Sequence, residues 1–291
     1  MKKLYMITGF LGAGKTTFLK NIIHTFDREK VTIIVNEFGA EGVDGKVLRE
    51  QGIESYEITN GSIFCVCRKD MFMDALKMAH ETDSDTIIVE TSGLSDPLTS
   101  DEILSYMQKV YHIQFDFRGV VSMIDAKNFF KVLHTAVVVE NQIKSADLFV
   151  INKCDLGGDI AEIKKALILR NEEAKIIETT FGQISYDIFH AMKHTIKLGT
   201  NHKKDLTLQK KLFEFEKELK LQEFIAWMST FKNQAYRIKG FIATDEGNYN
   251  LECVLGEWEL HPTQYDNQKS FIVVLYNAKQ LKINNIKNEF I

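Results

Sequence analysis

Short apolar runs rich in β-branched residues recur through the N-terminal part of the chain, at Leu4–Thr8, Val31–Asn36, Thr86–Glu90, Gly119–Ile124 and Leu148–Asn152, with Lys175–Ile177 as a sixth. Between them lie stretches whose apolar residues recur at helical spacing, most clearly Lys15–His24, Lys69–His80 and Ile160–Asn171. Alternation of this kind predicts an α/β fold over residues 1–195: a mostly parallel sheet with helices on both faces. Such sheets bind ligands at the carboxyl ends of their strands.

The pattern changes at Lys197–Leu206, which is mostly polar and reads as a linker. Beyond it the spacing predicts a strand at Thr207–Phe215, a helix at Leu219–Phe231, strands at Ala235–Thr244, Asn248–Trp258 and Ser270–Tyr276, and a closing helix at Ala278–Phe290. Asp245-Glu246-Gly247-Asn248 has the composition of a hairpin turn. Residues 206–291 are therefore expected to form a smaller α+β domain.

Composition narrows the function. The 291 residues are 45% apolar and 26% charged with a net charge of −4, which suits a globular protein and offers no basic surface for nucleic acid. No apolar run is long enough to span a bilayer, so no membrane partner is expected. Met1-Lys2-Lys3 followed by Leu4–Ile7 superficially resembles a leader. The apolar stretch breaks too soon, at a Gly-rich turn and Lys15, and a cytoplasmic location is expected instead. Four cysteines in a chain of this size do not suggest a disulfide framework. Cys154 and Cys253 stand alone and are expected to be packing residues.

Gly9-Phe10-Leu11-Gly12-Ala13-Gly14-Lys15-Thr16 matches the phosphate-binding pattern G-x-x-x-x-G-K-[ST] in full, between a predicted strand and a predicted helix. Gly9, Gly12 and Gly14 let the backbone curl so that its N–H groups, with those of Ala13, Lys15, Thr16 and Thr17, converge on an anion at a helix N-terminus. Lys15 is placed to reach the β- and γ-phosphates and the Thr16 hydroxyl to ligate Mg²⁺. The domain thus reads as a P-loop NTPase.

Asn152-Lys153-Cys154-Asp155 follows another strand. A carboxylate at Asp155 can accept from the N1–H and exocyclic amine of guanine, a donor pair that adenine lacks, while Lys153 packs its stem over the base. GTP is the expected nucleotide. Glu90-Thr91-Ser92-Gly93 ends a third strand. Glu90 is the candidate Mg²⁺ acid, and the Gly93 backbone is a candidate sensor of the γ-phosphate. Asn36-Glu37-Phe38-Gly39, followed by a Gly-rich loop with Asp44, is the candidate first switch segment. Glu37 there is placed to face Mg²⁺, a nucleophilic water or a second metal. The catalytic candidates are Lys15, Thr16, Glu37 and Glu90.

Together these residues resemble the CobW-type metallochaperone GTPases, relatives of UreG and HypB. The resemblance rests on Gly9–Thr16, Asn36–Gly39 with Asp44, Asn60-Gly61, Glu90–Gly93 with Asp96-Pro97, Asp125 and Asn152–Asp155, and continues at Arg237-Ile238-Lys239-Gly240-Phe241. It implies a GTPase domain with a smaller C-terminal domain, and GTP-driven delivery of Zn²⁺, Co²⁺ or another transition metal to a client metalloprotein. A nucleotide-dependent homodimer is a further expected form. The family's Cys-x-Cys-Cys after Asn-Gly is replaced here by Ser62-Ile63-Phe64-Cys65, with Cys67 beyond it. Cys65 and Cys67, with Glu37 or His112, are the candidate transition-metal ligands; the other reading of both thiols is packing. His190 and His194, spaced i, i+4, form a weaker candidate pair. Two functions follow: a GTPase that loads or releases metal for a client, or a GTP-dependent assembly switch for a metallo- or corrinoid enzyme that carries no metal itself.

Overall fold

The computed structural model describes residues 1–26, 29–35, 54–57, 69–134, 136–196, 207–216, 218–263, 269–283 and 286. They fall into two compact units, Met1–Lys203 and Lys204–Ile291. Among the described residues no helix is long and apolar enough to cross a membrane.

The first unit is built in the order β1 (Lys2–Gly9), α1 (Lys15–Ile23), β2 (Val31–Val35), β3 (Glu54–Glu57), α2 (Lys69–Glu81), β4 (Thr86–Glu90), α3 (Ser100–Tyr111), β5 (Phe115–Asp125), α4 (Phe129–Leu133), α5 (Val137–Ser145), β6 (Leu148–Asn152), α6 (Ile160–Ile168), β7 (Lys175–Glu178) and α7 (Tyr186–His190). Its seven strands lie in the order β3-β2-β4-β1-β5-β6-β7, and all neighbours are parallel. β3 is an addition to the sequence reading. Glu54-Ser55-Tyr56-Glu57 holds one apolar residue, too little for an apolar run, and pairs only at the sheet edge with β2.

β1 shows why the central strands are apolar throughout. Tyr5 and Ile7 pack with Phe18, Leu19 and Ile22 of α1 and Phe189 of α7. Leu4 and Met6 point the other way, to Phe72 and Leu76 of α2 and Ile103 and Met107 of α3. Successive side chains of a strand alternate in direction, so a strand covered on both faces needs apolar residues at every position. Burying each such side chain is worth about 1.5–3 kcal/mol. This two-sided core fixes β1, and with it the loop that leaves β1 at Gly9. β4 and β5 flank β1, which brings the carboxyl ends of β4, β1, β5 and β6 side by side.

The second unit is a five-stranded antiparallel sheet in the order β11-β10-β9-β12-β8, from β8 (Leu208–Phe215), β9 (Ala235–Thr244), β10 (Gly247–Val254), β11 (Glu257–Pro262) and β12 (Ser270–Asn277). Helix α8 (Leu221–Ser229) contributes Phe224, Trp227 and Met228 to a core with Phe213, Phe215, Ile238, Ile242, Leu251, Cys253 and Ile272. The turn expected at Asp245-Glu246 is present, with Thr244 paired to Gly247. Two expectations are corrected. Asn248–Trp258 is not one strand: Leu255 and Gly256, at φ 54° and 95°, reverse the chain so that Val254 pairs with Glu257. An apolar Leu in a left-handed turn mimics strand continuation, which hid the break. Residues 278–280 form a turn rather than the start of the closing helix, and most of that expected helix lies outside the described residues.

Candidate nucleotide site

The loop between β1 and α1 is anchored by its own buried residues. Phe10 and Leu11 are buried, and the Ala13 amide donates to the Phe10 carbonyl at 3.2 Å. Gly14 has φ 93°, and a Cβ there would fall 2.4 Å from the Asn152 amide nitrogen, so this position accepts only glycine. No side chain caps α1, and its first turn carries no acidic residue. The first-turn amides of α1 thus lie at a helix N-terminus with no capping side chain and no acidic residue, the condition in which such a terminus takes an anion. Lys15 is buried, and its ammonium lies across the loop, donating to the carbonyls of Gly9 at 2.9 Å and Phe10 at 3.1 Å.

Glu90 ends β4 directly beside β1, where it pairs in register with Ile7. The Thr16 hydroxyl donates to Glu90 Oε1 at 2.9 Å, and Glu90 is only 5% exposed. A hydroxyl and a carboxylate next to a phosphate cradle form a hard oxygen donor set, the kind that fits Mg²⁺. The chain continues through Gly93, where a Cβ would meet the backbone nitrogen of Leu11 at 2.7 Å. Gly93 thus rests against the phosphate loop itself.

On the other side of the cradle, Asn152 ends β6 and is 2% exposed. Its amide donates to the Ala13 carbonyl at 3.0 Å, and its oxygen accepts from the Gly182 amide at 2.9 Å. Both ends of the side chain are thereby engaged in the frame of the site. Lys153 has φ 61°. Its ammonium pairs with Asp125 at 2.9 Å, and Asp125 also accepts from the Asn128 backbone amide at 3.1 Å and from its side-chain amide at 3.2 Å. Asp155 lies in a short 3₁₀ turn and is exposed. Cys154 beside it is half-buried, its thiol donating to the Ile151 carbonyl at 3.3 Å. Only Cys253 of the two isolated cysteines is a core residue, at 1% exposure.

Sequence reasoning missed the loop after β7. Residues 179–183 reach the site through Gly182, through the Thr179 carbonyl, which accepts from the Cys154 amide at 3.4 Å, and through the Phe181 carbonyl, which accepts from Asn21 of α1 at 2.6 Å. Phe181 is 66% exposed at φ 57°, an uncommon conformation for a bulky residue. The available signal was its position at a strand's carboxyl end.

Glu37, Cys65 and Cys67 lie outside the described residues, as do Asn36, Phe38, Gly39, Asp44, Asn60 and Gly61. Among the described residues no group of three or more His, Cys, Asp or Glu gathers to hold a metal. His112 caps the carboxyl end of α3. The His190–His194 pair is corrected: α7 stops at His190, which stacks on Tyr186, while His194 lies beyond the helix. There it joins Asp147 and Asp101, each at 2.8 Å. Burial disfavours its charge, but the hydrogen bonds to the two carboxylates outweigh that and raise its pKa to about 9. A protonated ring engaged at both nitrogens is not a metal ligand.

Comparison with known proteins identifies the family of both units. The model of the CobW/HypB/UreG nucleotide-binding domain matches residues 3–179, and that of the cobalamin synthesis protein CobW C-terminal domain matches residues 209–290. The zinc chaperone CobW of a Sinorhizobium species is 29% identical over 280 residues, covering 82% of this chain and 77% of that protein. The zinc-regulated GTPase metalloprotein activator 1 of Schizosaccharomyces pombe is 32% identical over 190 residues, 62% of this chain; the match spans 46% of that relative's length. Among solved structures, the Zn(II)-bound YjiA GTPase of Escherichia coli is 18% identical, with a TM-score of 0.49 over 98% of this chain and 96% of that one.

Proposed function

Since this chain belongs to the CobW/HypB/UreG family, we propose that it is a Mg²⁺-dependent GTPase whose cycle moves a transition metal, zinc foremost, to a client protein. The observation that carries the nucleotide half is the Thr16–Glu90 pair at 2.9 Å beside an uncapped α1. The α1 amides and Lys15 bind the phosphates, and Lys15 neutralises charge that develops as the γ-phosphoryl leaves. Thr16 and Glu90 are the residues that would hold Mg²⁺, and the ion would supply neutralisation of the phosphate charge. Asp155 reads guanine from its exposed turn, and Lys153, turned by its φ of 61° and tied to Asp125, flanks the base. Asn152 acts on the loop rather than on the base. Gly93, against Leu11, is where arrival or loss of the γ-phosphate is felt.

The metal half rests on the family, on the relatives named as zinc chaperones, and on Cys65 and Cys67 in the sequence. A specific departure favours a second reading: Ser62 and Phe64 stand where the family's thiolates are expected. A hydroxyl is a poor Zn²⁺ ligand and Phe is none. In that reading GTP drives assembly of a client without the ion being carried. Equilibrium dialysis with Zn²⁺ and Co²⁺, with and without GTP, separates the two. The first predicts tight, nucleotide-sensitive binding that Cys65→Ser abolishes; binding that is weak and indifferent to nucleotide leaves the switch.

A further inference from the structure

We infer that two consecutive buried amides of α5, Asn141 and Gln142, are positioning residues that set the nucleotide response of the loop after Glu90. The inference rests on the GTPase reading above and extends it to residues outside the nucleotide motifs. Gln142 is 2% exposed, and its Nε2 donates to two main-chain carbonyls, Gly93 and Ser95, both at 3.2 Å. Asn141 is 5% exposed, and its Nδ2 donates to Asp96 Oδ2 at 2.8 Å. Asp96 in turn accepts from the Leu98 amide at 3.1 Å through its other oxygen.

The loop is held at other points as well, among them the Leu94 amide on the Ser92 hydroxyl at 3.3 Å. Thr91 is tied to the end of β1, its amide donating to the Ile7 carbonyl at 2.9 Å. The next turn is closed by the Ser95 amide on the Ser92 carbonyl at 2.9 Å. Between these points, α5 fixes the carbonyls at 93 and 95 and the side chain at 96. Gly93 also lies against Leu11, so the α5 amides hold the segment that touches the phosphate loop. Large apolar side chains would fill this space as well. Two amides use buried hydrogen-bonding capacity instead, and a buried amide without acceptors is costly. Their bonds to Gly93, Ser95 and Asp96 are specific to one path of the loop. Any shift of Gly93 toward or away from a γ-phosphate must therefore be made against Gln142, or together with α5.

The role is distinct from that of the cradle. The side-chain amides of Asn141 and Gln142 donate to Asp96, Gly93 and Ser95, which belong to neither the first turn of α1 nor the Asn152–Asp155 segment. They should bear on the γ-phosphate and leave the base and the other phosphates alone.

The test compares GDP, a non-hydrolysable GTP analogue and GTP turnover in Gln142→Leu, Asn141→Asp and the double variant Asn141→Asp/Asp96→Asn. The double variant restores an amide–carboxylate hydrogen bond with donor and acceptor exchanged, and it keeps an oxygen at position 96 for the Leu98 amide. Gln142→Leu is expected to leave GDP affinity within about twofold. It should lower kcat or analogue affinity at least tenfold, since two buried carbonyls lose their donor, each a loss of about tenfold. Asn141→Asp should show the same split, and the double variant should recover most of it. If Gln142→Leu is too poorly folded to assay, the charge exchange decides the matter alone. Equal losses for GDP and the analogue, or no recovery in the double variant, would overturn the positioning role while leaving the GTPase reading intact. Failure of the unsubstituted protein to bind guanine nucleotide at all would remove both.

Discussion

The side-chain amide of Asn152 donates to the main-chain carbonyl of Ala13 across 3.0 Å, tying the end of β6 to the phosphate loop after β1. One buried side chain thereby makes the base-side segment and the phosphate-side segment a single frame, with Gly182 as its third member. Asn152→Ala should leave the Ala13 carbonyl and the Gly182 amide without their partner. The expected loss is about 2–4 kcal/mol of stability, from two buried groups at about 1–2 kcal/mol each. Affinity for GTP and ATP should fall together, since the base reader is untouched. Thermal denaturation with parallel nucleotide titrations measures both, and a selective loss of GTP would show that Asn152 reads the base.

Removing either oxygen of the Thr16–Glu90 pair should uncouple nucleotide from Mg²⁺. Thr16→Ala and Glu90→Gln are expected to bind GDP in EDTA much as the unsubstituted protein does. They should lose the Mg²⁺-dependent gain and slow turnover by about 100-fold, the scale for one lost transition-state contact. Isothermal titration with and without Mg²⁺ reads this. An undiminished Mg²⁺ effect in Glu90→Gln would place the ion elsewhere.

His194 gives the fold a pH dependence with a definite sign. Its folded pKa of about 9 lies above the ordinary value of 6.5, so its contribution is complete below pH 6.5 and is lost as pH rises toward 9. Across that window this one group should cost the protein about 1.4 kcal/mol per pH unit. Denaturant unfolding at pH 6.5, 7.5 and 8.5 tests it. His194→Gln, which cannot be protonated, should flatten the slope.

Phe181 is largely exposed yet held at φ 57°. Phe181→Gly should relieve backbone strain of about 1 kcal/mol and lose little packing, raising the melting temperature of the isolated protein. If nucleotide affinity drops at the same time, the ring contributes to the base site.

Much of the first unit was legible because its strands are covered on both faces and so read as unbroken apolar runs, β1 and β6 above all. The motifs at Gly9–Thr16, Glu90–Gly93 and Asn152–Asp155 stand out in the sequence because a few neighbouring residues carry each, and the structure puts them after β1, β4 and β6. The rest depends on neighbours distant in the chain. Gln142 belongs to no motif, and only the fold brings Gly93 and Ser95 to it. The Thr179–Gln183 loop carries no motif, and its place follows from Asn152 reaching Gly182. His194 appeared to pair with His190 because the spacing suits a helix, but the helix ends four residues earlier. Positive φ at Lys153 and Leu255 is imposed by what surrounds them, against local preference.

The central claim is that the site selects guanine through Asp155 while the α1 cradle holds the phosphates. The most direct test is competition for a fluorescent guanine nucleotide by GTP and ATP, with the unsubstituted protein and Asp155→Asn. GTP should displace the probe from the unsubstituted protein at concentrations at least about 100-fold lower than ATP, the scale of one lost pair of base contacts, and Asp155→Asn should erase that difference. Equal displacement by ATP and GTP from the unsubstituted protein would contradict the account.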